Sequence, residues 1–116
     1  MPGSLPPEVQ ALCPVEPADL TFVDAQGIVR FYSEYRIFSR PESCLDRDVL
    51  ACHSEESRPG IARMLAEFRD GWRDEACFLS HKSDREVDVR YLAVRDASGT
   101  YIGCLEVAQW TPEVAE

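Results

Sequence analysis

Cys52 and His53 stand side by side in a chain with only one other imidazole, His81, and four other thiols, Cys13, Cys44, Cys77 and Cys104. Imidazole is the commonest side chain to ligate haem iron and a frequent zinc ligand. A thiolate ligates metals, attacks carbonyls or forms adducts. The chemistry open to these residues is therefore metal or haem ligation by His53, with Cys52 as a substitute ligand. A nucleophile–base pair is disfavoured, because consecutive side chains point apart. Cys52 then reads as a buried thiol and His81, beside Lys82, as a solvated turn residue. No cysteine pair has Cys-x-x-Cys spacing, so nothing in the sequence assembles a zinc site. Nucleophile-elbow, phosphate-loop, dinucleotide and His-Glu-x-x-His motifs are all missing from the sequence. Their absence does not exclude an enzyme but leaves nothing on which to build a mechanism, and the chain is expected not to be an enzyme.

The elements that must position His53 are legible from periodicity. Leu20–Asp24 and Ile28–Tyr32 are β-forming runs around Gly27, a hairpin signal. Residues 33–53 show no clear period and read as short helices and turns. Ser54 or Ser57 is placed to cap a helix over residues 57–70, with Pro59 tolerated near its start. Ile61, Met64, Leu65 and Phe68 fall on one face of that helix. Gly71 supplies its left-handed stop, and Trp72 is expected to fold back on the last turn. Three strands follow: 75–80, 86–95 and 100–110. In the second, Val87, Val89, Tyr91 and Ala93 alternate with Asp88, Arg90, Leu92 and Val94. In the third, Tyr101, Gly103, Leu105 and Val107 alternate with Ile102, Cys104, Glu106 and Ala108. Strand, strand, small helices, one longer helix and three strands predict an α+β domain. Its natural layering is a five-stranded antiparallel sheet with helices on one face.

The bulk composition narrows the partners. The length of 116 residues suits one domain, at roughly 100–200 residues per domain. With 21 acidic against 12 basic residues, the formal charge is −9. A field of that sign repels nucleic acid and anionic membranes. No apolar run approaches the ~20 residues that cross a bilayer, and the N-terminus lacks signal-peptide character. The expected compartment is the cytoplasm, where the five cysteines stay reduced. Residues 1–17 hold five of the eight prolines and read as a flanking arm, leaving 18–111 as the domain and 112–116 as a tail. Within the arm, Cys13-Pro14 is similar to the short Cys-Pro motif of haem-regulated proteins.

Several blocks of sequence carry a family resemblance. They are Leu20-Thr21-Phe22-Val23-Asp24, Arg36-Ile37-Phe38-Ser39-Arg40-Pro41, Val49-Leu50-Ala51-Cys52-His53, Gly71-Trp72-Arg73-Asp74-Glu75-Ala76, and Arg90–Asp96 continuing through Gly103–Val107. In this order they resemble the PAS domain. They are also similar to the branch of it often found C-terminal to hemerythrin-type domains in bacterial proteins. The chain differs from that branch at Asp46, where relatives tend to have Gly, and at Ser54-Glu55, where they tend to have Pro. The segment after Ser33-Glu34 looks shortened.

The resemblance implies a sensory module that binds a small molecule between its helices and sheet and signals through protein–protein contacts. Haem is the leading cofactor, with His53 as the metal ligand. Cys52, Phe31, Phe38, Met64, Leu65, Phe68 and Leu92 are the remaining expected pocket residues. The partners implied are a ligand together with a homodimer mate or a separate signalling protein. The contact is expected through the outer sheet face, carrying Val89 and Tyr91 or their alternates, and the arm. The alternative is a ligand-free PAS-type dimerisation or interaction module.

Overall fold

The computed structural model describes residues 5–38 and 44–112. Residues 39–43, which include Pro41 of one resemblance block, lie outside it. So do the first four residues of the arm and the last four of the tail. After a single helical turn, α1 (Pro7–Gln10), come β1 (Asp19–Asp24) and β2 (Val29–Tyr32), then a 3₁₀ turn (Val49–Cys52) and α2 (Arg58–Arg69). β3 (Glu75–Lys82), β4 (Arg85–Arg95) and β5 (Tyr101–Trp110) complete the sheet. All pairings are antiparallel and the strand order is β2-β1-β5-β4-β3. No helix among the described residues is long and apolar enough to cross a membrane.

The hairpin between β1 and β2 closes on Gly27 at a φ of 83°, which glycine adopts without steric cost. The Asp24 carboxylate accepts the N–H groups of Gln26 and Ile28 and an Arg30 bond at 2.7 Å. Burial pushes the Asp24 pKa up, and these bonds outweigh it, so the net shift is downward.

α2 begins beside Ser57, although no side-chain cap forms there. Ser54 instead bonds Ser57, and Arg58 Nε donates to the carbonyls of Leu50 and His53, tying the helix to the 3₁₀ turn. At its C-terminus Gly71 N–H donates to Phe68 O and Trp72 N–H to Glu67 O, the paired bonds of a glycine-terminated helix. The Trp72 side chain does not fold back; it is 82% exposed.

The sheet is apolar on both sides. One face packs Val23, Val29 and Cys104, with Val49 of the 3₁₀ turn, against Met64, Leu65 and Phe68 of α2. Leu65→Ala is expected to cost about 2–5 kcal/mol, by transfer and cavity terms. Urea denaturation measures it, and a loss below about 1 kcal/mol would mean that α2 does not cover the core. The other face gathers Phe22, Phe31, Leu105 and Val107 under Val9 and Leu5 of the arm. For the outer face the register selects the alternates, Leu92 and Val94. Val89 and Tyr91 lie on the side of α2, and much of the true outer face is covered by this chain's own arm.

The alternation expected for β5 also breaks. Val94 pairs with Gly103 but Arg95 pairs with Tyr101, so Ile102 is an extra residue. The bulge turns Tyr101 to the α2 side, against the cluster containing Cys104, and away from Leu105 and Val107.

Candidate functional site

The alternation of β4 turns Val89 and Tyr91 toward α2, and β5 sets Glu106 directly opposite Tyr91. Tyr91 Oη donates to Glu106 Oε2 at 2.9 Å. From above, α2 contributes Gly60, Ile61, Met64 and Glu67, its successive turns on one side. The result is an open cleft of about 600 Å³ between helix and sheet, within the ordinary range for small-molecule sites. Phe38, from the 33–38 segment, and Phe78, from β3, also line it.

His53 follows the 3₁₀ turn and lines the cleft. Its Nδ1 lies 2.9 Å from Val49 O. A carbonyl only accepts, so Nδ1 carries the proton and Nε2 of the neutral ring keeps a lone pair. This is how ligating histidines are commonly oriented, by a backbone carbonyl behind the ring. The charged groups of the cleft are Glu56, Glu67, Arg63 and Arg73 beside Glu106. Arg73 bonds Glu67 at 3.1 Å and Arg63 Nε lies 3.8 Å from it, so both cations face one carboxylate.

Beneath the cleft, among the described residues, the space narrows. A void of about 10 Å³ remains among Val23, Val49, Leu65 and Cys104, at the limit for one water. His53, Ile61, Met64, Tyr91 and Glu106 border both spaces. Burial pushes the Cys104 thiol up, so it stays protonated at neutral pH. Burial raises Tyr101 to about 12, and it too stays neutral.

Of the expected pocket residues, the structure brings together His53, Phe38 and Met64 at the cleft and Leu65 at the void. Phe68 is fully buried deeper in the same core. Phe31 and Leu92 are not brought there. They face the opposite side of the sheet, in one row with Phe22 and Leu105. Cys52 packs against the core with its Sγ 3.9 Å from Asp48 O and does not line the cleft. His81 is exposed, 3.9 Å from Glu86. Among the described residues, no three His, Cys, Asp or Glu side chains cluster to hold a metal ion.

Sequence reasoning missed the Tyr91–Glu106 pair and the Arg73–Glu67 bridge. The first depends on the β4–β5 register, which alternation alone does not set. Asp46 does not border the cleft; it binds Arg30 at 2.9 Å beside β2. Its φ of 65° accounts for the glycine that the resemblance implies at that position, since Asp also tolerates this region.

Comparison with known proteins bears on this geometry. A family model described as PAS domain matches residues 9–109. The crystal structure of a C-terminal domain from Streptococcus mutans is similar at 28% identity and TM-score 0.76, covering 82% of this chain and 76% of that one. A sensory box sensor histidine kinase from Vibrio cholerae is similar at 12% identity and TM-score 0.63, with 91% and 90% covered. The Aer2 receptor of Vibrio cholerae, described as a dual PAS-heme oxygen sensor, is similar at 11% identity and TM-score 0.52, with 83% and 96% covered. The last two likenesses are of fold alone. Among curated proteins, none matches the chain.

Proposed function

The chain belongs to the PAS domain family, and from that premise we propose that it is a sensory module, not an enzyme, whose cleft takes a compact ligand. PAS domains are generally regulatory sensory modules. In this reading residues 18–111 are the sensing domain, 1–17 an arm and 112–116 a tail. The sequence blocks from Leu20 to Val107 favour the hemerythrin-associated branch. The output passes through protein–protein contacts, to a second copy or a separate signalling protein.

The observation that carries the reading is His53 at the cleft, its Nδ1 held by Val49 O and its Nε2 lone pair uncommitted by that bond. The donor set fits haem. His53 offers an oriented imidazole, with Met64, Ile61 and Tyr91 as apolar walls, while Arg63 and Arg73, the cations of the lining, are both paired with Glu67. Haem would supply an iron site for a small gas or redox signal. The residues themselves hold the imidazole tautomer and exclude water from one side. The Aer2 receptor supports haem as the first probe, because a related fold is described there as a PAS-heme sensor.

The narrow interior favours a second reading. The void among the described residues beneath α2 is about 10 Å³, which supports reading the domain as a ligand-free interaction module. Haemin titration separates the two. Wild type is expected to develop a sharp Soret band that His53→Ala loses. Equal bands in both variants remove His53 from the site, and no band in either leaves the interaction module.

A further inference from the structure

We propose that β3 is a self-complementary edge and that two copies of the chain pair through it, making one continuous antiparallel sheet. The proposal does not depend on whether the cleft holds a ligand.

The two sheet edges are treated differently. Beside β2, the chain returns to bond its outer side: Val29 N–H donates to Arg47 O, and Asp46 N–H donates to Val29 O at 2.7 Å. No described element bonds the outer side of β3. That strand has eight residues, no proline and an unbroken register with β4. Such an edge is a template for another strand: it carries no proline and no bulge, and no described element covers it. It is also apolar where it should be guarded: Phe78 is 52% and Leu79 56% exposed.

The backbone fixes which residues can pair. Ala93 N–H donates to Asp74 O, and Lys82 pairs with Arg85 across the two-residue turn. In an antiparallel ladder the bonding direction alternates. Ala76, Phe78, Ser80 and Lys82 therefore turn their N–H and C=O groups to β4. Glu75, Cys77, Leu79 and His81 turn theirs outward. An antiparallel mate must set outward residues opposite outward residues. In one register all four find partners within the strand: Glu75 opposite His81 of the second copy, and Cys77 opposite Leu79. The two-fold axis then passes through Phe78, which meets its own symmetry mate. Shifting by two residues in either direction leaves one end unpaired.

Side chains agree with this register. Glu75 meets an imidazole that can donate to it, no like charges stand opposite, and both exposed apolar residues become covered. Phe78 already lies edge-on to Tyr91 at 5.7 Å, so its mate extends the wall of the cleft. Two chains of formal charge −9 repel at long range, so salt strengthens the pair.

Leu79→Pro tests the pairing without touching the ladder to β4, because the N–H it removes points outward. Sedimentation or light scattering should show a dimer for wild type. Leu79→Pro should raise its dissociation constant by at least about tenfold, with circular dichroism unchanged. Phe78→Lys places two like charges across the axis and should do the same, which keeps the test decisive if the proline variant misfolds. A wild-type monomer at millimolar concentration overturns the proposal. So does a dimer that both variants leave intact.

Discussion

Replacing Asp19 with Ala is expected to destabilise the fold by about 3–5 kcal/mol, the usual consequence of stranding half of a buried ion pair. Asp19 sits at the start of β1, the strand between β2 and β5, and its side chain is only 4% exposed. Oδ1 meets Arg36 Nη1 at 2.7 Å. Oδ2 accepts the backbone N–H of Ile37 at 3.0 Å and of Phe38 at 2.9 Å. Alanine takes the acceptor from two backbone donors and the counter-charge from a guanidinium that also stacks 5.4 Å over the Tyr32 ring. Among the described residues Asp19 supplies all three of these contacts, while Arg36 keeps its bonds to the carbonyls of Leu20 and Phe38. Asn keeps one acceptor oxygen and should lose less. The effect should reach the site as well, since these bonds hold Phe38 at the wall of the cleft. Urea denaturation of the Ala and Asn variants measures the expectation. A loss under about 1 kcal/mol for Ala would show that the 33–38 segment is not anchored through Asp19.

Much of this architecture is readable from the sequence. The four apolar residues from Ile61 to Phe68 define one helical face, and α2 falls within one residue of the expected bounds. The β1–β2 turn is announced by Gly27. Less legible are features that leave the residue pattern unchanged. β3 runs to Lys82, two residues beyond the expected end, because Ser83 and Asp84 make a tight turn with φ of 53° and 63° and no glycine marks it. The bulge in β5 is hidden because Ile102 is as apolar as its neighbours, so a regular alternation reads through it and puts Tyr101 on the wrong face.

The same ambiguity governs the pocket. Hydropathy identifies Phe31 and Leu92 as buried but not which face buries them. The sheet is apolar on both sides, and an antiparallel sheet of that kind needs a cover on each. Leu92 and Val94, alternating with Val89 and Tyr91, carry that signal. The cover they require is the proline-rich arm, whose Val9 is fully buried. His53 was legible as a chemical group. Its tautomer was not, because it depends on a carbonyl four residues away that only the 3₁₀ turn brings near.

Gly103→Ala is expected to be the most damaging glycine-to-alanine replacement among the described residues. Gly103 lies in β5 between Asp24 of β1 and Val94 of β4, at the bulge. Its φ of 154° lies in a region that L side chains rarely adopt. The space is closed too. A Cβ there would stand 2.2 Å from Val23 O and 2.7 Å from the Phe22 ring. Val23 O is backbone of a strand paired on both sides, and the Phe22 ring is packed under the arm, so neither can retreat without opening the β1–β5 ladder. An unstrained strand glycine would instead gain roughly 0.5–1 kcal/mol on becoming alanine. The clash reverses that sign, and the expected loss is about 4 kcal/mol or more, in the tail of single-substitution effects. Gly99→Ala is the matched control. Gly99 has a φ of 88° with open space around it, so only the backbone penalty of about 1–2 kcal/mol applies. Urea midpoints of the two variants should differ in that order. Near-equal midpoints would mean that β5 relaxes at its bulge, and that the packing of Val23 against Gly103, beside the void beneath the cleft, is not rigid.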